Sequence, residues 1–219
     1  MQINLLNHEV KEKYTKKDLI LDVIIWVTAI LLIVFLFFLS NVWISTVCVQ
    51  QTSMTNTLDE GDVLILDRLA KPKRQDIIVF SQNDKEDYIK RVIGMEGDTV
   101  YTVNGIVYVE YQKDGKTVKE ILDEPYIKEP DNKTYLHATG KIDIPRVTLG
   151  KGEFFVLGDN RCNSVDSRTY FDSFGNVNTQ TQSSTYVGIV KQEQIKGVVH
   201  QFWVDNKDVT TKIFGSNKE

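Results

Sequence analysis

The sequence predicts a mainly β protein, with an antiparallel β-sheet core behind a single N-terminal transmembrane helix. Three observations support this fold class. A long apolar run stands near the N-terminus, at residues 19–39. The chain after it is rich in short Val, Ile, Tyr and Phe segments bounded by turn residues. That part also lacks the three-turn amphipathic pattern of a surface helix, so antiparallel strand pairing is favoured.

The apolar run reads LILDVIIWVTAILLIVFLFFL, and Asp22 is its only charged residue. A bilayer core of roughly 30 Å needs about 20 helical residues, so this run is long enough to span one. The alternative is a cleaved signal peptide, which has a shorter apolar run closely followed by a small-x-small cleavage site. Residues 1–18 are therefore predicted to be a cytoplasmic segment and residues 19–39 a retained anchor.

The charges around the anchor predict its orientation. Four lysines precede it, and no charged residue follows it until Asp59. Lysines near a transmembrane helix favour the cytoplasmic side. We therefore expect a single-pass protein of the cell membrane, in contact with membrane lipid, whose residues 40–219 lie on the extracytoplasmic face.

The strands are predicted in eight segments beyond the anchor, at residues 42–49, 62–69, 76–80, 88–94, 99–103, 106–111, 153–158 and 197–204. Asn104-Gly105 joins two of them and is a strong signal for a two-residue hairpin. Residues 111–150 hold three of the four prolines and much charge, which predicts a long excursion from the core sheet. Residues 175–186 are expected to form a polar surface loop.

Composition makes several partners improbable. The formal net charge of −4 and the scattered basic residues argue against nucleic acid. Two cysteines and three histidines, without CxxC, HxH or HxxxH spacing, predict no metal site. Cys48 and Cys162 leave open whether they form a disulfide. No cofactor is expected.

A candidate nucleophile lies in QTSMTNTL, residues 51–58, where Ser53 follows the end of the anchor by 14 residues. A serine needs a base, and His137 and His200 stand in no recognisable motif. Lys90, in the predicted strand DYIKRVIG, is another candidate because burial lowers the pKa of a lysine toward neutrality. The alternative is an ordinary snorkelling or ion-paired lysine.

A third polar segment follows the predicted strand EFFVLG. Residues 158–168, GDNRCNSVDSR, combine two aspartates and two arginines with hydroxyl and amide side chains. Such residues crowd ordinary hydrated turns. Their density of complementary charges and donors also suits a network that supports an active site.

Together these segments resemble the type I signal peptidases, membrane-bound serine proteases that remove signal peptides from exported proteins. The resemblance rests on SM...TL..GD (53–62), YIKRVIGMEGDTV (88–100), NGIVY...DEPY (104–126) and VLGDNRCNSVDSR (156–168). The resemblance implies a catalytic core of residues 40–104 and 151–219 with a cap-like insertion at about residues 105–150. That insertion is short, similar to that of the compact single-anchor members from Gram-positive bacteria. The substrates that this resemblance implies are signal-peptide-bearing precursor proteins, cut at small-x-small sites.

The resemblance also implies roles for individual residues. Ser53 would be the nucleophile and Lys90 the general base of a Ser-Lys dyad, with Ser164 holding the lysine amine. Met54 would line the substrate site. The supporting network would comprise Asp159, Asn160, Arg161, Asp166 and Arg168.

The sequence departs from the family pattern at two positions in the nucleophile segment. Asn56 stands where a proline is usual, which predicts a less rigid turn. Gln51 stands where Gly or Ser is common, and its amide is expected to serve as a second oxyanion donor. The rival interpretations are a Ser-Lys self-cleaving regulator, a non-catalytic signal-peptidase-like assembly factor and an anchored β domain that binds a partner.

Overall fold

In the computed structural model, the described residues are 15–55, 57–82, 86–127, 133–137, 141–179 and 186–200. The chain divides into two compact units, residues 1–42 and 43–219. Helix α1 spans Lys16–Trp43. Thr15 and Asp18 cap its start reciprocally, since each side chain accepts the other residue's backbone N–H (2.8 and 3.3 Å). Residues 16–39 of this helix are long and apolar enough to cross a bilayer.

The second unit contains eleven strands among its described residues, and every recorded strand pair is antiparallel. They are β1 (Ile44–Cys48), β2 (Val63–Asp67), β3 (Ile77–Gln82), β4 (Glu86–Gly94), β5 (Thr99–Val103), β6 (Ile106–Lys113), β7 (Lys116–Ile121), β8 (Val147–Thr148), β9 (Glu153–Leu157), β10 (Val190–Lys191) and β11 (Ile195–Val199). One sheet has the order β1-β2-β11-β3-β4-β9-β10 and the other β7-β6-β5-β8. Two short 3-10 helices span Ser167–Tyr170 and Gln192–Gln194.

The predicted fold class, mainly antiparallel β behind one apolar helix, is confirmed. Each of the eight predicted segments overlaps a strand, although the last of them extends to residues 201–204, outside the described part of the chain. Strands β7, β8 and β10 were not predicted. Strand β7 lies in a charged, largely exposed segment whose residues show no strand-like alternation of polar and apolar side chains. It is ordered by its pairing with β6.

The predicted hairpin at Asn104-Gly105 is present between β5 and β6. Both residues adopt positive φ (51° and 76°), as a two-residue type I′ turn requires. The predicted boundary between core and insertion, at residues 104 and 105, falls inside this hairpin. The division of the chain at this point stays a prediction. The same holds for the polar loop, of which residues 180–185 lie outside the described residues.

A hydrophobic cluster in the larger sheet holds the segment that contains the candidate nucleophile. Met54 and Leu58 are fully buried and pack with residues of β2, β3 and β4, among them Leu64, Val79 and Ile89. Burying a side chain of this size contributes roughly 1.5–3 kcal/mol. Two large apolar residues therefore attach this otherwise polar segment to the sheet.

Candidate active site

Ser53 stands at the start of a tight turn that ends at Leu58, a residue buried in the core. The Met54 carbonyl accepts the backbone N–H groups of Thr57 and Leu58, both at 2.7 Å. Because Ser53 directly precedes the buried Met54, it cannot move far from the sheet. Ser53 itself is 8% exposed. Asn56, predicted to loosen this turn, lies outside the described residues.

Lys90 lies in the middle of β4, between β3 and β9, opposite Ile78 of β3. Its side chain is 1% exposed, which is rare for a lysine. The Nζ atom lies 2.7 Å from Ser53 Oγ and donates to the Ile89 carbonyl at 2.9 Å. The structure thus brings together the two residues that the sequence pattern singled out.

Burial lowers the pKa of Lys90 from 10.5 to about 8, because the charged ammonium form loses its hydration. The negative charges of Asp166 and Asp159 oppose this shift, and the charge of Arg168 adds to it. Roughly one tenth of the amine is therefore neutral at pH 7, and the neutral fraction grows as the pH rises through about 8. A neutral amine within hydrogen-bond reach of a hydroxyl can accept its proton, which is the geometry that an activated serine needs.

Residues 159–163 form hydrogen bonds to the nucleophile turn, residues 52–58, which contains Ser53. The backbone N–H of Asn160 donates to the Ser53 carbonyl (3.0 Å), and that of Asp159 donates to the sulfur of Met54 (3.4 Å). The side chains of Asn160 and Asn163 donate to the carbonyl and hydroxyl oxygens of Thr52, at 3.1 and 2.9 Å. These bonds position the serine without using its hydroxyl.

Arg91 joins three segments that are far apart in the sequence, and the sequence analysis assigned it no role. Its guanidinium donates to both carboxylate oxygens of Asp159, at 2.8 and 2.6 Å. Asp159 also accepts a short hydrogen bond from Thr57 of the nucleophile segment. The guanidinium lies 3.9 Å from the ring centre of Tyr126. Because Arg91 follows Lys90 directly, this bidentate pair also fixes β4 next to the candidate base.

Two further buried ion pairs surround the site. Arg161 pairs with Glu124 and donates to Thr134, and all three side chains are buried. Arg168 pairs with Asp166 through two bonds, of 2.8 and 2.9 Å. Burial alone would raise the pKa of Asp166, but the charge of Arg168, together with hydrogen bonds from Arg168 and from the Gly158 backbone N–H, holds the pKa below its usual value. Glu124, Tyr126 and Thr134 were also missed as members of this network.

Ser164 lies close to the site but makes no hydrogen bond to Lys90 in the structure. Its Oγ is buried and has no hydrogen-bond partner among the described residues. A Cβ at Gly158 would lie 2.2 Å from that oxygen and 2.6 Å from the Ser53 carbonyl, so this close approach requires glycine. The role of holding the lysine amine stays a prediction.

A groove of about 510 Å³ contains Ser53. It is lined by Val47, Cys48, Val49, Gln50, Gln51, Ser53, Met54, Glu86, Asp87, Ile89 and Lys196. A separate hollow of about 570 Å³ is bordered by residues of the 161–168 segment, including Ser164. Cys48 lines the groove and Cys162 the hollow, and neither thiol forms a disulfide. Within the described ranges, no three His, Cys, Asp or Glu side chains gather as a metal site requires.

The chain is similar to known proteins of one family. The family model described as signal peptidase, peptidase S26, matches residues 21–204. A signal peptidase I of Bacillus caldolyticus is 36% identical over 174 residues, which cover 73% of this chain and 79% of that protein. Signal peptidase IB of Staphylococcus aureus is 28% identical over 83% of this chain and 90% of its own length. The crystal structure of a signal peptidase I from Enterococcus faecalis is 29% identical, covers 60% of this chain and 98% of that one, and has a TM-score of 0.37.

The family model and the Bacillus relative define a serine peptidase, and the apolar N-terminal helix is compatible with membrane anchoring. The chain belongs to the signal peptidase family, peptidase S26. The resemblance drawn from its motifs is therefore confirmed.

Proposed function

We propose that this chain cleaves N-terminal signal peptides from exported precursor proteins at small-x-small sites, with Ser53 as nucleophile and Lys90 as general base. The observation that carries the proposal is the 2.7 Å approach of Lys90 Nζ to Ser53 Oγ, at a lysine that is 1% exposed. Family membership supports the reaction, and the groove beside Ser53 offers apolar contacts from Val47, Met54 and Ile89.

In the proposed mechanism, neutral Lys90 removes the Ser53 proton as Oγ attacks the scissile carbonyl carbon. The resulting ammonium group then gives that proton to the leaving amine, which is the new N-terminus of the mature protein. The signal peptide remains as an ester on Ser53. Lys90 next takes a proton from water, the hydroxide attacks the ester, and Ser53 regains its proton. Each of these steps uses groups of the chain itself, so the mechanism calls on no metal or cofactor.

The remaining predicted residues have supporting roles in this proposal. Gln51 lines the groove with Ser53, and we assign its amide as an oxyanion donor beside the Ser53 backbone N–H. Ser164 orients the lysine amine, and Met54 forms part of the groove wall. Asp159, Asn160, Arg161, Asp166 and Arg168 hold the nucleophile turn and β4 in place, as their hydrogen bonds and ion pairs support.

The proposal also includes the membrane topology. The N-terminal segment lies in the cytoplasm and the β unit on the extracytoplasmic face, because lysines precede the apolar helix and none follows it closely. Exported precursors present an apolar segment in the bilayer followed by their cleavage site. An anchored peptidase in contact with lipid shares that location with its substrate.

The proposed function is tested by incubating the full chain, in detergent micelles or vesicles, with a precursor that carries a small-x-small site. We expect cleavage after the second small residue, read by N-terminal sequencing of the product. The value of kcat/KM should rise with pH through about 8, since only neutral Lys90 accepts the serine proton. An uncleaved precursor, or cleavage elsewhere in its chain, would refute the assignment.

Gln51→Ala tests the oxyanion role separately. Loss of an oxyanion donor lowers kcat by about 10²–10³-fold in other enzymes, and we expect a loss of this order with little change in KM. Gln50→Ala is the matched control, because Gln50 is the neighbouring amide of the same groove. A loss of less than threefold in Gln51→Ala would rule out this role.

A further inference from the structure

The groove that holds Ser53 carries an unbalanced negative charge at Glu86. Three charged residues line the groove, and two of them, Asp87 and Lys196, form an ion pair at 2.7 Å. Glu86 accepts a hydrogen bond from the neutral Tyr88 phenol (3.2 Å) and has no cationic partner among the described residues. The Glu86 side chain is exposed.

The distance of Glu86 from the candidate catalytic pair follows from strand geometry. Glu86 and Lys90 are both in β4, four residues apart. At about 3.3 Å per residue, their Cα atoms are separated by about 13 Å. A peptide bound in extended form advances at the same rate. For a peptide that runs alongside β4 with its scissile carbonyl at Ser53, the residue four or five positions away in the direction of Glu86 lies beside that carboxylate.

We propose that Glu86 is a specificity-determining residue, which favours substrates with Lys or Arg four or five residues from the scissile bond. This inference rests on the proposed function, since it assigns a substrate preference to the same groove. A lysine or arginine side chain is long enough to reach across a groove edge and places its charge on a flexible apolar stem. Because exposed ion pairs are weak, the preference is expected to be about threefold.

The test uses pairs of synthetic peptides that share one small-x-small site and differ by Lys or Gln at a single position. That position is scanned from the third to the sixth residue on both sides of the scissile bond. With the full chain in micelles at low salt, the Lys/Gln ratio of kcat/KM should be about three at the fourth or fifth position. It should fall to about one in Glu86→Gln, drop below one in Glu86→Lys, and decline toward one at about 1 M salt, where the Debye length is about 3 Å.

Glu193→Gln is the matched control, because it removes an exposed carboxylate from the 3-10 helix Gln192–Gln194, which does not line the groove. Its Lys/Gln ratio should equal that of the unaltered chain. If the unaltered chain cleaves none of the peptides, the proposed function fails. If it cleaves them with a ratio of one at every position, or if the ratio survives in Glu86→Gln, the role of Glu86 is overturned and the proposed function stands.

Discussion

Ser53→Ala and Lys90→Ala are each expected to abolish precursor cleavage, with kcat falling by at least about 10⁴-fold, as when members of other catalytic triads are removed. The reason is that the two residues act as one unit. A serine without a base remains protonated, and an amine without the serine has no nucleophile to activate. The double variant should therefore be no less active than either single variant. The measurement is single-turnover cleavage of a precursor by each purified chain.

Two exposed residues of the same chemical types serve as controls. Thr55→Ala removes a neighbouring hydroxyl from the nucleophile turn, and Lys151→Ala removes an exposed lysine. Both should cleave the precursor within about twofold of the unaltered rate, because surface substitutions usually change little. Thermal unfolding of all variants separates a chemical defect from a folding defect. Cleavage above about 1% of the normal rate by folded Ser53→Ala or Lys90→Ala would contradict the assignment.

Glu124→Gln is expected to lower the free energy of unfolding by about 3–5 kcal/mol, the usual consequence of leaving one partner of a buried ion pair unpaired. Arg161 would then keep its charge in a buried position, with its hydrogen bonds to Gly158 and Thr134 as the remaining compensation. Arginine is too basic to lose its proton inside a protein, so this guanidinium does not escape the loss by deprotonation. Urea or thermal unfolding of the solubilised chain measures the change.

Glu120→Gln provides the comparison for this variant. Glu120 is half exposed and lies 4.0 Å from Arg74, at the outer limit of an ion pair. Its replacement should change the free energy of unfolding by less than about 0.5 kcal/mol. A double variant, Glu124→Leu with Arg161→Met, removes both charges and should recover much of the lost stability. Equal destabilisation by Glu124→Gln and Glu120→Gln would show that the buried ion pair contributes no more to the free energy of unfolding than the exposed one.

The strands were largely predictable because most carry their own signal. Strand β3, IIVFSQ, and strand β9, EFFVL, are buried on both faces and read as short apolar runs. Strand β7, KTVKEI, carries no such signal, since it is mostly exposed and is ordered by its neighbour β6. The two-residue strands β8 and β10 are too short for any periodicity to show.

Only part of the candidate site was predictable from the sequence. The motifs directed attention to Ser53 and Lys90, which the structure brings within 2.7 Å of each other. The partners of the charged residues were not predictable, because they come from distant segments. Arg91 is 68 positions from Asp159, and Glu124 is 37 positions from Arg161. Such pairs leave no spacing pattern in the local sequence, because they depend on the order of the strands within the sheets and on the loops between them.

The strand order of the larger sheet has a consequence for biosynthesis. Strand β11, near the end of the described chain, lies between β2 and β3, which are synthesised much earlier. The bonds that fasten Thr52 and Met54 likewise come from residues more than a hundred positions later. A ribosome therefore releases the serine long before it releases the residues that hold it. A partly translated copy therefore carries Ser53 without the residues that position it, and the site is assembled only after β11 has been synthesised.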